Sequence, residues 1–181
     1  MSAASAFMGG MSDVSLRPWS DDDLDLLRRT NAPELTANLG GPESDEQVAT
    51  RHERYLRGWR DGSSQMYAIT TPDHPEGVGA IGFWPRDEGG RALFEAGWTV
   101  VAAHQGHGIA RAALDLLVAE ARAADPARAL AAYPRVDNEA SNALCRRAGF
   151  VLEGVEEFEY PKGTWLASNV WVLPPEADAT A

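Results

Sequence analysis

Apolar residues at three-and-four spacing predict a long helix from Ile109 to about Ala123. Ala110, Ala113, Leu114, Leu117, Val118 and Ala121 fall on one face, and Arg111, Asp115 and Arg122 fall on the other. An earlier helix is predicted behind Ser44, where Asp45, Glu46 and Gln47 complete a capping pattern. It runs through Tyr55, Leu56 and Trp59 and stops at Asp61-Gly62. Ser20-Asp21-Asp22-Asp23 supplies an N-cap and first-turn acids for a shorter helix carrying Leu24, Leu26 and Leu27. Val14 to Trp19 reads as a short strand, and Thr30 to Pro42 as a less regular segment. Three runs of β-formers follow, Met66 to Thr71, Gly77 to Trp84 and Ala92 to Val101. Turn-like stretches at 72–77 and 85–90 join them into an antiparallel meander. Ala129 to Tyr133 is a short strand after the long helix, and the crossover sets it parallel beside Val100. Asp137 or Asn138 caps a last helix. Phe150 to Tyr160 and Thr164 to Leu173 close the chain, joined at Pro161-Lys162-Gly163. The pattern predicts one α/β domain over 14–174, a flexible extension over 1–13 and a loose tail over 175–181.

The junction from Val100 to Ala110 carries the clearest chemistry. A strand, a turn with Gly106 and Gly108, and a helix start form an anion site. First-turn N–H groups have no intrahelical acceptor, the helix dipole is positive there, and glycine lets phosphate oxygens approach the backbone. A mononucleotide P-loop needs Gly-Lys-Ser/Thr, and here Ile109 and Ala110 follow Gly108. A dinucleotide fingerprint places a small residue where Arg111 stands and belongs after the first strand of its unit. Both are excluded. Downstream, Asn138, Ser141 and Cys145 share a helix face by spacing. Read locally, Asn138 is the N-cap and Ser141 its N3 residue; read functionally, the same polar face serves a ligand.

Charge narrows the partners. Sixteen basic and 27 acidic residues leave a net charge of −11, which argues against nucleic acid or an anionic membrane and suits a cationic amine. Cys145 is the single cysteine, so an intrachain disulfide and a cysteine-built zinc cluster are excluded. Four scattered histidines without a repeated spacing predict no metal site. No apolar run reaches membrane length, and Met1 to Ser12 lacks the pattern of a signal peptide, so a cytoplasmic protein is expected. It would be a monomer or a homodimer.

The stretch Gln105-Gly106-His107-Gly108-Ile109-Ala110 matches Gln/Arg-x-x-Gly-x-Gly/Ala. With Asp137-Asn138-Glu139-Ala140-Ser141-Asn142 and Arg147-Ala148-Gly149-Phe150 behind it, the chain resembles the GNAT superfamily of N-acetyltransferases. The branch it resembles is that of the ribosomal-protein-alanine acetyltransferases, over roughly Val14 to Leu173. The resemblance implies a mixed, largely antiparallel sheet flanked by helices, with strands splayed at the acyl-CoA site. It places acetyl-CoA as cosubstrate at Gln105, Gly106, His107, Gly108, Ile109 and Ala110. Backbone N–H groups at Thr99, Val100 and Val101 would stabilise the developing oxyanion. Asn138 would position the pantetheine amide and Ser141 would assist the departing sulfur. Many relatives use a tyrosine farther along this helix, and none lies between Asn138 and Phe150. Glu95, on the face of Thr99 if the strand alternates, is the candidate base or else a solvated strand residue. His107 reads as a loop residue near phosphates, and His104 flanks the same loop. Glu156 and Glu159 could attract a cationic acceptor or could be a solvated face. Tyr55, Trp59 and Asn38 are candidate acceptor neighbours or ordinary packing. Similar chains carry an aspartate in the final hairpin, where this one reads Trp165-Leu166-Ala167-Ser168. The implied reaction is acetyl transfer to a primary amine by direct attack in a ternary complex, with a protein or peptide N-terminal amine as the expected acceptor. A small amine such as an antibiotic or polyamine, and a non-catalytic acyl-CoA-binding module, are the alternatives.

Overall fold

The computed structural model describes residues 13–37, 40–159, 163 and 165–176. Asn38, the N-terminal extension over 1–12, the tail over 177–181 and most of the Pro161-Lys162-Gly163 turn lie outside the described residues. Seven strands make one sheet in the order β1-β2-β3-β4-β5-β7-β6. They are β1 (Ser15–Pro18), β2 (Gln65–Thr71), β3 (His74–Glu88), β4 (Arg91–Val100), β5 (Ala129–Ala132), β6 (Val151–Glu159) and β7 (Trp165–Leu173). Every neighbouring pair is antiparallel except β4 with β5. The helices are α1 (Leu24–Thr30), α2 (Pro33–Thr36), α3 (Asp45–Asp61), α4 (Ile109–Ala124) and α5 (Glu139–Arg147). None of them is long and apolar enough to cross a membrane.

Pleating sorts the side chains into two layers. Met66 and Ala68 of β2 pack with Leu26, Leu27 and Val48 of α1 and α3. Tyr67 and Ile69 point the other way, toward Ala113, Leu114 and Leu117 of α4. Burial of Leu114 or Leu117 stabilises the fold by about 1.5–3 kcal/mol each. The capping signals place α3 as expected. Ser44 accepts from the Gln47 N–H, Gln47 reaches back to the Ser44 N–H, and Gly62 ends the helix at φ +74°.

The expected turn at 72–77 is shorter, because β3 already begins at His74 and only Pro72-Asp73 reverses the chain. The segment 85–90 is not a turn: β3 runs through Pro85 to Glu88, and only Gly89-Gly90 reverses the chain. Proline is tolerated at position 85 because β2 begins at Gln65, opposite Phe83, and leaves that edge of β3 unclaimed.

Candidate active site

Strand β5 does not lie beside Val100. Its pairing with β4 is limited to Leu93–Ala129, Phe94–Leu130 and Glu95–Ala131. From Ala96 to Val100, β4 keeps its β3 partners but has none in β5. β5 ends at Ala132, already paired to β7, and the chain beyond it stays on β7. The Asn169 N–H donates to Pro134 O at 2.9 Å and the Val136 N–H to Ala167 O at 3.0 Å. The two parallel strands therefore part after Glu95, leaving an open β4 edge.

The polarity of that edge follows from antiparallel alternation. The Val101 N–H is used by Val78 O at 2.9 Å, so residues 99 and 101 bond toward β3, and Trp98 and Val100 turn their backbone groups outward. Of the three N–H groups expected at Thr99, Val100 and Val101, the one at Val100 faces the gap. Gln105 Nε2 donates to Val100 O at 2.9 Å, tying the glycine turn to the same point of the strand.

Beyond Val100 the chain makes a tight turn at Ala102–His104, then passes Gly106 and Gly108, both at φ +78°. That left-handed conformation, not crowding, excludes other residues, since a Cβ on either glycine meets no protein atom within 4 Å. The first helical bonds of α4 run from Arg111 and Ala112 to Gly108 O. The N–H groups of Ile109 and Ala110 thus precede the hydrogen-bonded ladder and point out of the helix start.

On the opposite bank, Asn138 Oδ1 accepts the Ser141 N–H at 3.1 Å, so Asn138 is the N-cap of α5. Both residues are half-buried, and among the described residues the Ser141 hydroxyl has no hydrogen-bond partner. Asn142 is the residue the sequence reading passed over. It is 7% exposed; its Nδ2 donates to Arg135 O and Asn138 O, and its Oδ1 accepts from Asn169 Nδ2 and Trp171 Nε1 at 2.7 and 2.8 Å. It pins the start of α5 to β7. An asparagine on the core side of a helix was the available signal. Arg111 Nη1 donates to Arg147 O, joining the first turn of α4 to the last turn of α5. Cys145 is fully buried in the core, and burial pushes its thiol up to about 12, which removes it as a nucleophile.

Glu95 stands at the last paired position before the gap, on the face away from α4. Its carboxylate is not isolated. Arg86 Nη1 lies 2.8 Å from Glu95 Oε2, and the two side chains are 25% and 15% exposed. The Arg86 guanidinium also stacks 4.2 Å over the Tyr133 ring, whose hydroxyl donates to Glu88 at 2.8 Å. Burial first, then the bond to Glu88, raises the Tyr133 pKa, with Arg86 opposing. Arg86, Tyr133 and Glu88 carried no sequence signal, because two distant segments, β3 and the chain just after β5, bring them together.

His104 packs edge-on against His74, ring centroids 4.5 Å apart, and partial burial followed by the neighbouring His74 and His107 holds it below the usual imidazole range. Tyr55 and Trp59 are packing residues. Tyr55 meets Trp19 edge-on, and Trp59 donates to Met66 O at 2.6 Å. Glu156 and Glu159 are exposed. Ser168, in the hairpin stretch that lacks the acid, is 2% exposed.

A parted parallel pair, an N–H-lined glycine turn and a capped polar helix on the far bank define an acyltransferase cleft. The acetyltransferase (GNAT) domain model matches residues 13–151, and the chain belongs to that family of acetyltransferases. An uncharacterized N-acetyltransferase, YoaA of Bacillus subtilis, is 28% identical over 162 residues, covering 87% of this chain and 91% of that one. The fold is shared with solved structures. An acetyltransferase of Salmonella typhimurium that modifies the N-terminal serine of ribosomal protein L7/L12 has TM-score 0.73 at 23% identity, covering 91% of this chain and 96% of its own. The ribosomal-protein-S5-alanine acetyltransferase of Vibrio fischeri has TM-score 0.74 at 14% identity, with 92% and 96% covered. Spermidine N-acetyltransferase from Vibrio cholerae, in complex with CoA and spermine, has TM-score 0.73 at 17% identity, with 90% and 96% covered.

Proposed function

We propose that this acetyltransferase moves an acetyl group from acetyl-CoA to a protein or peptide N-terminal amine, by direct attack within a ternary complex. The observation that carries the reading is the open β4 edge from Ala96 to Val100, continuous with the glycine turn. The residues fit the cosubstrate: outward N–H groups at Ile109 and Ala110 for the pyrophosphate, side-chain-free approach at Gly106 and Gly108, and an unpaired strand for the pantetheine arm. Acetyl-CoA supplies the thioester. Val100 N–H donates to the acyl oxygen as negative charge develops there. Ser141 donates to the departing sulfur, and Asn138, held by its cap, orients the arm. Glu95 takes the proton of the incoming ammonium, with Arg86 keeping its carboxylate in place.

The N-terminal acceptor draws support from the ribosomal-protein acetyltransferases among the structural relatives and from the net charge of −11. Incubation with acetyl-CoA and a panel of peptides and small amines, followed by thiol release and intact mass, tests it. Peptides should gain one acetyl group at the N-terminus. Thiol release with small amines alone would reassign the acceptor, and acetyl-CoA binding without any release would make the chain a binding module. Glu95→Gln should lower the acceptor kcat/KM by about 10²-fold or more. A wild-type kcat/KM in that variant leaves Glu95 as a partner of Arg86 only.

A further inference from the structure

Among the described residues, six large apolar side chains are exposed, and five of them gather at one end of the sheet. These are Val136, Val151, Leu152, Val155 and Trp165, from 46% to 62% exposed. Strand β6 is an outer edge of the sheet, with nine residues and no strand beyond it among the described residues. A bulge at Glu153 shifts the register so that Leu152 pairs with Trp171 and Val155 with Asn169. Leu152, Val155, Glu157 and Trp165 therefore share the face on which Asn169 and Trp171 reach Asn142 of α5. Val136, bonded to Ala167, extends this surface to within two residues of Asn138. Between the apolar positions stand Glu156, Glu157 and Glu159, all exposed. The matched family region ends at Val151, so nearly all of this hairpin lies beyond it.

We infer that β6 docks the body of a polypeptide partner, as an extended segment that adds to the sheet edge and carries both basic and apolar residues. Charge selects this occupant. Glutamates alone can protect an edge from aggregation, but they leave Leu152, Val155 and Trp165 exposed without a reason. A second copy of the chain would set the same glutamates against each other across a shared edge, in a molecule already at −11. A cationic strand satisfies the open backbone groups, covers the apolar side chains and neutralises the carboxylates together. The inference rests on the polypeptide-acceptor reading and extends it from the reacting amine to the segment behind it.

The test uses the full chain and a fluorescent synthetic peptide built of lysine, valine and threonine, its N-terminus acetylated so that it cannot be a substrate. Anisotropy should show binding of this peptide and none of the same peptide with glutamate for lysine. N-methylation of alternate backbone amides should abolish it. Glu156→Lys with Glu157→Lys should weaken binding about tenfold or more, and Trp165→Ala should weaken it independently, while turnover of a small amine is unchanged in Trp165→Ala. Unaltered affinity in both variants, or equal binding of the acidic peptide, would overturn the proposal. So would dimerisation by sedimentation that the double variant alters, which makes a second copy the occupant. Binding of the blocked peptide with acetylation confined to small amines would leave this surface standing and remove the polypeptide acceptor.

Discussion

Ser141 and Asn138 have separable duties, and substitution should separate them. The Asn138 side chain caps α5 through the Ser141 N–H, whereas the Ser141 hydroxyl is left for the cleft. Ser141→Ala should lower kcat by about 10²-fold and leave acetyl-CoA affinity nearly intact, because its contact strengthens mainly in the transition state. Asn138→Ala should raise the acetyl-CoA KM and cost about 1 kcal/mol of stability through the lost cap. Steady-state rates beside thermal melts measure both, and an unchanged kcat in Ser141→Ala, with chemistry rate-limiting, ends its catalytic assignment. Asn142 has a different weight. Asn142→Leu strands the Asn169 amide and the Trp171 indole N–H without their acceptor, at about 2–4 kcal/mol. Urea unfolding checks it, and a loss below about 1 kcal/mol contradicts its role as the pin between α5 and β7.

At the scale of elements, the glycine turn depends on two backbone conformations and on the helix it starts. Gly108→Glu puts a side chain at φ +78° and a carboxylate among the N–H groups of the α4 start. The conformational cost is about 1–2 kcal/mol, small enough for the fold to survive, while acetyl-CoA affinity should fall severely. Calorimetry on both proteins decides it once circular dichroism matches, and equal affinities remove the phosphate-loop assignment. Helix α3, its box and its stop were legible because each capping group lies within three or four residues of the backbone it serves. The span of β3 was not, because Pro85-Arg86-Asp87-Glu88 has turn composition and becomes strand only through its pairing with β4.

For the molecule as a whole, the Arg17–Asp23 pair ties β1 to the approach of α1, and it sets a response to acid. Asp23 is 1% exposed; Arg17 donates to both its oxygens at 2.7 and 3.0 Å, and the Ser20 N–H and hydroxyl add bonds at 2.7 and 2.9 Å. Burial opposes ionisation, but these donors outweigh it and hold the Asp23 carboxyl below its usual range. A depressed native pKa contributes stability that is present above the unfolded value and lost as pH falls through the native one. Asp23→Asn should therefore cost about 1–2 kcal/mol at neutral pH, screened by the exposed side of Arg17. It should also flatten the loss of stability below about pH 4. Chemical denaturation across that range measures it, and parallel acid curves for the two proteins would refute the assignment.

The sequence by itself determined whatever is written in short-range backbone chemistry. The α4 face from Ala113 to Ala121, the glycine turn at Gly106 and Gly108, the Asn138 cap and the order of strands all follow from spacing within a few residues. Tertiary structure alone decided where β4 and β5 part, since the chain beyond Ala132 stays bonded to β7 and leaves β4. It alone brought Arg86 of β3 to Glu95 of β4 beneath Tyr133, and Asn142 of α5 to Trp171 of β7. Such polar contacts join residues far apart in the chain, and nothing in local periodicity constrains a partner that only the folded sheet supplies.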